Sequence, residues 1–205
     1  MVTKDIKSRV MRYFFLNPTA RLRVRQIERE AGVPLPSAIR YTAELVKEGI
    51  LKKTLVAGVT LFSADRSSSA YLIEKRLHNL RFLYSSGLVE FLVKTYSNPP
   101  IKLFGSYSRG EDTEESDIDL YVETPAGKIK GLERFENILR RKIQIFAYRK
   151  ITDIKNKELA SNILNGITVN GFVEVFSGER RAGRTAWIPP LRSNAAQIRQ
   201  RPARW

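Results

Sequence analysis

Residues 105–122 read Gly105-Ser106-Tyr107-Ser108-Arg109-Gly110-Glu111-Asp112-Thr113-Glu114-Glu115-Ser116-Asp117-Ile118-Asp119-Leu120-Tyr121-Val122. In a strand, side chains two apart share a face. Asp117, Asp119 and Tyr121 therefore point one way, and Ile118, Leu120 and Val122 the other. The apolar set asks for a core. The acidic set puts two carboxylates roughly 7 Å apart at the backbone, from which both can reach a metal pair about 4 Å apart. Two unpaired like charges this close repel, so a divalent cation is their natural partner. Upstream, Ile101-Lys102-Leu103-Phe104 reads as a short strand running into Gly105. A glycine there lets backbone amides approach a phosphate closely, with the Ser106 hydroxyl beside them. Arg109 adds a guanidinium suited to a triphosphate. This arrangement suits attack of a hydroxyl on an α-phosphate with pyrophosphate leaving, as metal ions neutralise the developing charge.

The rest of the composition narrows the chemistry. The chain has 205 residues, no cysteine and one histidine, His78. Disulfides, thiolate metal sites and cysteine nucleophiles are excluded, so a metal must sit on oxygens, which points to Mg2+ or Mn2+. His78 reads as a polar helix residue. No apolar run is long enough to span a membrane, and the first 30 residues lack a signal core, so a cytoplasmic protein is expected. The net charge of +15 is unevenly spread. Residues 1–100 hold 17 Lys/Arg against 8 Asp/Glu, residues 101–178 hold 12 of each, and residues 179–205 hold 7 against 1. A basic first half points to a polyanion partner there.

Periodicity organises that first half. Ile6, Val10, Met11, Phe14 and Phe15 have helical spacing, closed by Asn17-Pro18. Arg23 to Ala31 is a second helix stopped by Gly32. Ser37 is expected to cap a third, running to about Glu48 with Ile39, Ala43 and Val46 inward. Ile50 to Phe62 reads as a hairpin around Ala57-Gly58. Helix, helix, turn, helix, hairpin is the order of a winged helix. By the same periodicity Ser37, Arg40, Tyr41 and Glu44 lie on the outer face of the third helix. Arg40 there could reach guanine, and Lys52 and Lys53 could meet phosphates. Tyr71 to Tyr96 is helical with a break near Ser85-Ser86-Gly87; it packs within the monomer or pairs with a second copy. Strands and helices alternate after Asn98-Pro99-Pro100, and from Ser177 onward a basic tail loses all periodicity and is expected to be disordered.

Gly105-Ser106, ten residues, then Asp117-x-Asp119, with Arg109-Gly110 and Ser116 in context, resembles the signature of minimal nucleotidyltransferases in the DNA polymerase beta superfamily. Leu16-Asn17-Pro18, Val24-Arg25-Gln26-Ile27, Gly32-Val33 and Leu45-x-x-x-Gly49-Ile50-Leu51 resemble archaeal winged-helix regulators. The resemblance implies an α+β chain. Residues 1–66 would be a winged helix-turn-helix on double-stranded DNA, 67–98 a helical linker, 99–176 a polymerase-beta-like nucleotidyltransferase domain with a small mixed sheet, and 177–205 a tail. It implies catalytic, metal-binding Asp117 and Asp119. Gly105, Ser106, Arg109 and Ser116 would hold a nucleoside triphosphate, expected to be ATP. A protein or tRNA hydroxyl would be the acceptor, and an antitoxin role beside a small helical toxin is implied as well. It also implies a third carboxylate on the next strand, where this sequence has Gln144. An amide oxygen cannot take a proton as a carboxylate would. Two readings follow: an active transferase, or a transcription regulator whose second domain only senses nucleotide. Of the other acids, Glu123 shares the Asp119 face but lies roughly 13 Å along the strand, and Glu174 belongs to a later segment.

Overall fold

The computed structural model describes residues 6–125 and 129–175, which fall in one compact unit. The basic tail expected at 177–205 lies outside the described residues. The first half comprises α1 (Ile6–Leu16), β1 (Arg21–Leu22), α2 (Val24–Ala31), α3 (Leu35–Lys47), β2 (Leu51–Val56) and β3 (Val59–Ala64). The three strands form an antiparallel sheet in the order β1-β3-β2. β2 and β3 meet through Ala57-Gly58, both at positive φ (47° and 76°), the geometry whose twist matches a two-residue hairpin. Val10, Phe14, Phe15, Ile27, Ala38, Leu45 and Leu51 close a first core over this sheet.

Two expectations about α3 are corrected. The helix starts at Leu35 behind Pro34, not at a Ser37 cap, because Pro36 sits in its first turn, where a missing N–H costs nothing. Its buried face is Ala38, Thr42 and Leu45. Ile39 is 53% exposed and Ala43 is exposed. The inward stripe is displaced by one residue because Thr42 can be buried: its hydroxyl donates to the Ala38 carbonyl at 2.7 Å.

The segment expected as a linker contributes to two cores. It folds as α4 (Ser69–Ser85) and α5 (Leu88–Thr95), broken at Gly87. Tyr71 packs in the first core, whereas Leu83, Leu88, Val89 and Leu92 pack in a second. His78 is not a solvated polar residue. Its ring lies 5.2 Å from Phe15 and 5.8 Å from Phe82, and its buried Nε2 has no partner among the described residues.

The second core lies under a mixed four-stranded sheet ordered β6-β5-β4-β7, built from β4 (Ile101–Phe104), β5 (Ile118–Glu123), β6 (Ile143–Tyr148) and β7 (Ile167–Asn170). β5 and β6 run parallel; the other pairs are antiparallel. Ile118, Leu120 and Val122 face this core, as the alternation predicts, with Phe135 and Leu139 of α7 (Glu133–Leu139). The opposite face carries Phe104 and Tyr121 against Ile151, Ile154 and Ile163, the last on α8 (Lys157–Leu164). A five-residue helix, α6 (Gly105–Arg109), follows β4. The whole is α+β with small sheets, and no helix among the described residues is long and apolar enough to cross a membrane.

Candidate active site

β4 ends where Gly105 takes φ 72° and turns the chain into α6. Phe104 is the register partner of Asp119, so the turn lies beside that aspartate. A Cβ built on Gly105 would collide with Asp119 Oδ2 and stand 3.1 Å from its Cγ. The carboxylate thus fills the space that any other residue's side chain would occupy. On its other flank, Asp119 is in parallel register with Gln144 of β6, so the two share a face. Gln144 is exposed and Asp119 half-buried. The glutamine occupies the place the resemblance reserves for an acid.

Asp117 stands just before β5 and is exposed. The Asp119 carboxyl is pushed above its ordinary range, first by burial and then by the Asp117 charge, while the Arg109 guanidinium opposes the shift. Asp117, Asp119 and Arg109 therefore share one field. Arg109 Nε donates to Glu111 Oε2 at 2.6 Å, engaging one of the five guanidinium donors. Ser106 is the second residue of α6, half-buried, where first-turn amides lack an i−4 acceptor and can meet an anion. Ser116 precedes Asp117 and is half-buried. Its hydroxyl accepts from the Thr113 amide at 2.9 Å and closes the turn that delivers Asp117.

Among the described residues no group of three or more acids or histidines could hold a metal ion. Glu123 is not brought in: its Oε2 accepts from the Tyr121 hydroxyl at 2.7 Å. Glu174 is exposed, between Val173 and Val175, which pack on the Phe104–Tyr121 cluster. The donors for a divalent ion are thus two carboxylates and one amide oxygen. They fit a hard cation, because burial and the Asp117 charge both raise the cost of ionising Asp119, and a bound charge of opposite sign offsets it. Triphosphate oxygens would complete the shell.

The loop that carries Asp117 is anchored by residues the sequence did not single out. Lys75 Nζ of α4 donates to Asp112 Oδ2 and to the Phe15 carbonyl, both at 2.8 Å. Asn79 Nδ2 donates to Asp112 Oδ1 at 2.8 Å and to the Tyr107 carbonyl at 2.9 Å. Arg141 Nη2 reaches the Leu16 carbonyl at 3.1 Å and lies 3.8 Å from Asp112. The side chains of Lys75 and Asp112 are 1% and 0% exposed. Burial pulls the Lys75 ammonium down and the Asp112 carboxylate holds it up. Gly110, at φ 75°, lets α6 dock on α4: a Cβ there would stand 2.6 Å from the Leu72 carbonyl. A signal existed in the α4 spacing Tyr71, Lys75, Asn79, Leu83, a four-residue repeat whose two middle members are polar.

In the first half, Arg40, Lys52 and Lys53 are exposed, and Ser37 and Tyr41 are half-buried. The Arg40 guanidinium lies 5.2 Å from the Tyr41 ring. Glu44, expected outward, accepts from Lys7 Nζ at 2.8 Å.

A family model described as the nucleotidyltransferase domain matches residues 86–166, which run from the α4–α5 break through the end of α8. A protein of Methanocaldococcus jannaschii, provisionally named a protein adenylyltransferase, is 38% identical over 69 residues, covering 30% of this chain and 69% of the relative. No solved structure matches significantly. Such domains use a nucleoside triphosphate and a divalent metal. Gly105, Asp117, Asp119 and the glutamine at the third position all fall in the matched region, and the chain belongs to the nucleotidyltransferase-domain family.

Proposed function

We propose that this protein transfers a nucleoside monophosphate from ATP to a hydroxyl of a protein or RNA acceptor, using Mg2+ or Mn2+ at Asp117 and Asp119. Bound there, the ion supplies neutralisation of the triphosphate charge. Ser106 and the α6 amides orient the phosphates, with Arg109 as a further donor. The acceptor oxygen bonds to the α-phosphorus, its hydroxyl proton passes to water, the bond to the bridging oxygen breaks, and pyrophosphate leaves with the electron pair. The observation that carries this reading is the Asp119 carboxylate lodged against Gly105, where phosphate-binding turn and metal-binding strand meet. The test is label transfer from α-32P-ATP: Asp117→Ala and Asp119→Ala should each abolish it. A wild type that binds nucleotide yet labels no acceptor ends the enzyme reading.

Gln144 favours a second reading, in which the domain senses nucleotide without catalysis. Either reading joins it to a DNA-binding half. The three helices and exposed β2–β3 hairpin support a winged helix, with Arg40 of α3 and Lys52 and Lys53 of β2 facing double-stranded DNA. A toxin partner for an antitoxin role, a tRNA acceptor, a homodimer and a cytoplasmic setting belong to the same proposal. Binding to DNA should weaken steeply with salt, and Arg40→Ala should relax sequence preference.

A further inference from the structure

The helix shared by the two cores is apolar on both sides. α4 turns Tyr71 and Leu83 inward, yet Ile73 and Leu77, four residues apart, are 58% and 52% exposed. Single exposed apolar side chains are ordinary. Two stacked on successive turns of a helix already buried on its other side are not, because a helix that is apolar all round is one covered all round. Beside Leu77 a hollow of about 140 Å³ opens between α4 and α1. Met11 and Phe15 of α1 and Leu77 and His78 of α4 line it. Glu74 and Arg81 stand at its rim, both exposed, and among the described residues neither makes an ion pair. Arg12, also at the rim, lies 5.7 Å from the Phe82 ring.

This face is complementary to itself. Glu74 and Arg81 are two helical turns apart on one side of α4. When two copies of α4 lie antiparallel about a two-fold axis midway between these residues, Glu74 of each copy faces Arg81 of the other. That register leaves no freedom for the residues in between. Leu77 of each copy then faces His78 of the other, over the hollow that Met11 and Phe15 help to line. Charge and shape therefore select the same register. An apolar void near this size has room for a leucine side chain, and a charged rim around an apolar centre is the usual anatomy of a protein contact. A parallel pair would set Glu74 against Glu74 and Arg81 against Arg81, so the charges also reject the alternative orientation. A two-fold contact needs only one such surface, used twice.

We propose that two copies of this chain associate through antiparallel α4 helices, with Leu77 of each seated in the α1–α4 hollow of the other and Glu74 paired with Arg81 across the axis. This assigns a surface to the homodimer named above. It does not rest on the transferase reading, since the residues involved lie outside the Asp117–Asp119 site.

The test is sedimentation velocity of the full chain over a concentration series at about 0.15 M salt. Wild type should pass from monomer to dimer as concentration rises. Leu77→Glu should raise the dissociation constant at least about a hundredfold, because it puts a charge into two apolar hollows at once. Ile138→Glu, at an exposed apolar position on α7, should leave it unchanged. Glu74→Arg alone, or Arg81→Glu alone, sets like charges opposite each other twice and should weaken association on the order of tenfold. The two reversals together restore both attractions and should return the constant to that of wild type. Circular dichroism and Tm of each variant at low concentration separate lost association from lost folding. A wild type that stays monomeric overturns the proposal and gives the face to a different protein. A dimer that survives Leu77→Glu, or reversals that fail to rescue each other, overturns it as well and puts the contact elsewhere. Label transfer by these variants bears on the transferase reading alone.

Discussion

Replacing Lys75 with methionine tests how the halves are joined. The substitution keeps much of the apolar stem and removes the ammonium that Asp112 and the Phe15 carbonyl share. With side-chain exposures of 1% and 0%, neither partner can turn to water. Breaking a pair of this kind costs about 3–5 kcal/mol, because the surviving charge stays buried without compensation. For a chain of this size that is a fall of roughly 6–20 °C in Tm. Asn79 still donates to Asp112 Oδ1 and Arg141 stands 3.8 Å away, which sets the expectation near the lower end. Asp112→Asn should cost less, because the Lys75 ammonium, already pushed down by burial, can shed its proton. Its folded pKa then lies below the unfolded one, the unfolded chain binds more protons, and stability of Asp112→Asn rises with pH. Thermal and urea unfolding of Lys75→Met, of Asp112→Leu and of the two together form a double-mutant cycle. The double variant should recover much of the loss. A single-variant cost under about 1 kcal/mol, or strictly additive losses, would refute the reasoning.

Gly105→Ala should cost about 1–3 kcal/mol from its positive φ and the collision with Asp119. Nucleotide affinity should fall with it, read by titration calorimetry; unchanged affinity contradicts the packed turn. His78 should make the protein acid-sensitive. Burial between aromatic rings lowers its pKa from 6.5 to about 4, so the unfolded chain binds the extra proton and stability falls as pH drops from 6.5 towards 4. His78→Phe should flatten that dependence in pH-jump unfolding. Gln144→Glu should raise label transfer, since the residue is in register with Asp119 on one face; activity lost below wild type would show that the amide itself is required.

The sequence was most legible where chemistry and geometry coincide. The pattern from Gly105 to Asp119 needs one glycine and an alternating strand, and Ile118, Leu120 and Val122 pack as that alternation requires. The hairpin was legible because few dipeptides accept two positive φ values in succession. The phase of α3 was not, because Thr42 satisfies its hydroxyl within the helix and displaces Ile39 from the core. Lys75 and Asn79 carry no signal in the sequence that marks them as buried, since the carboxylate that permits their burial is 37 and 33 positions away. His78 misled for a related reason: its ring was read by its polarity and is packed by its aromatic faces.

Calorimetric titration of ATP into wild-type protein and Asp119→Asn, each with Mg2+ and with chelator, bears most directly on the two-aspartate site. Wild type should bind ATP at least tenfold more tightly with Mg2+, releasing protons near the raised Asp119 pKa, and Asp119→Asn should lose most of that gain. Equal binding with and without the ion, or an undiminished Mg2+ effect in Asp119→Asn, would contradict it.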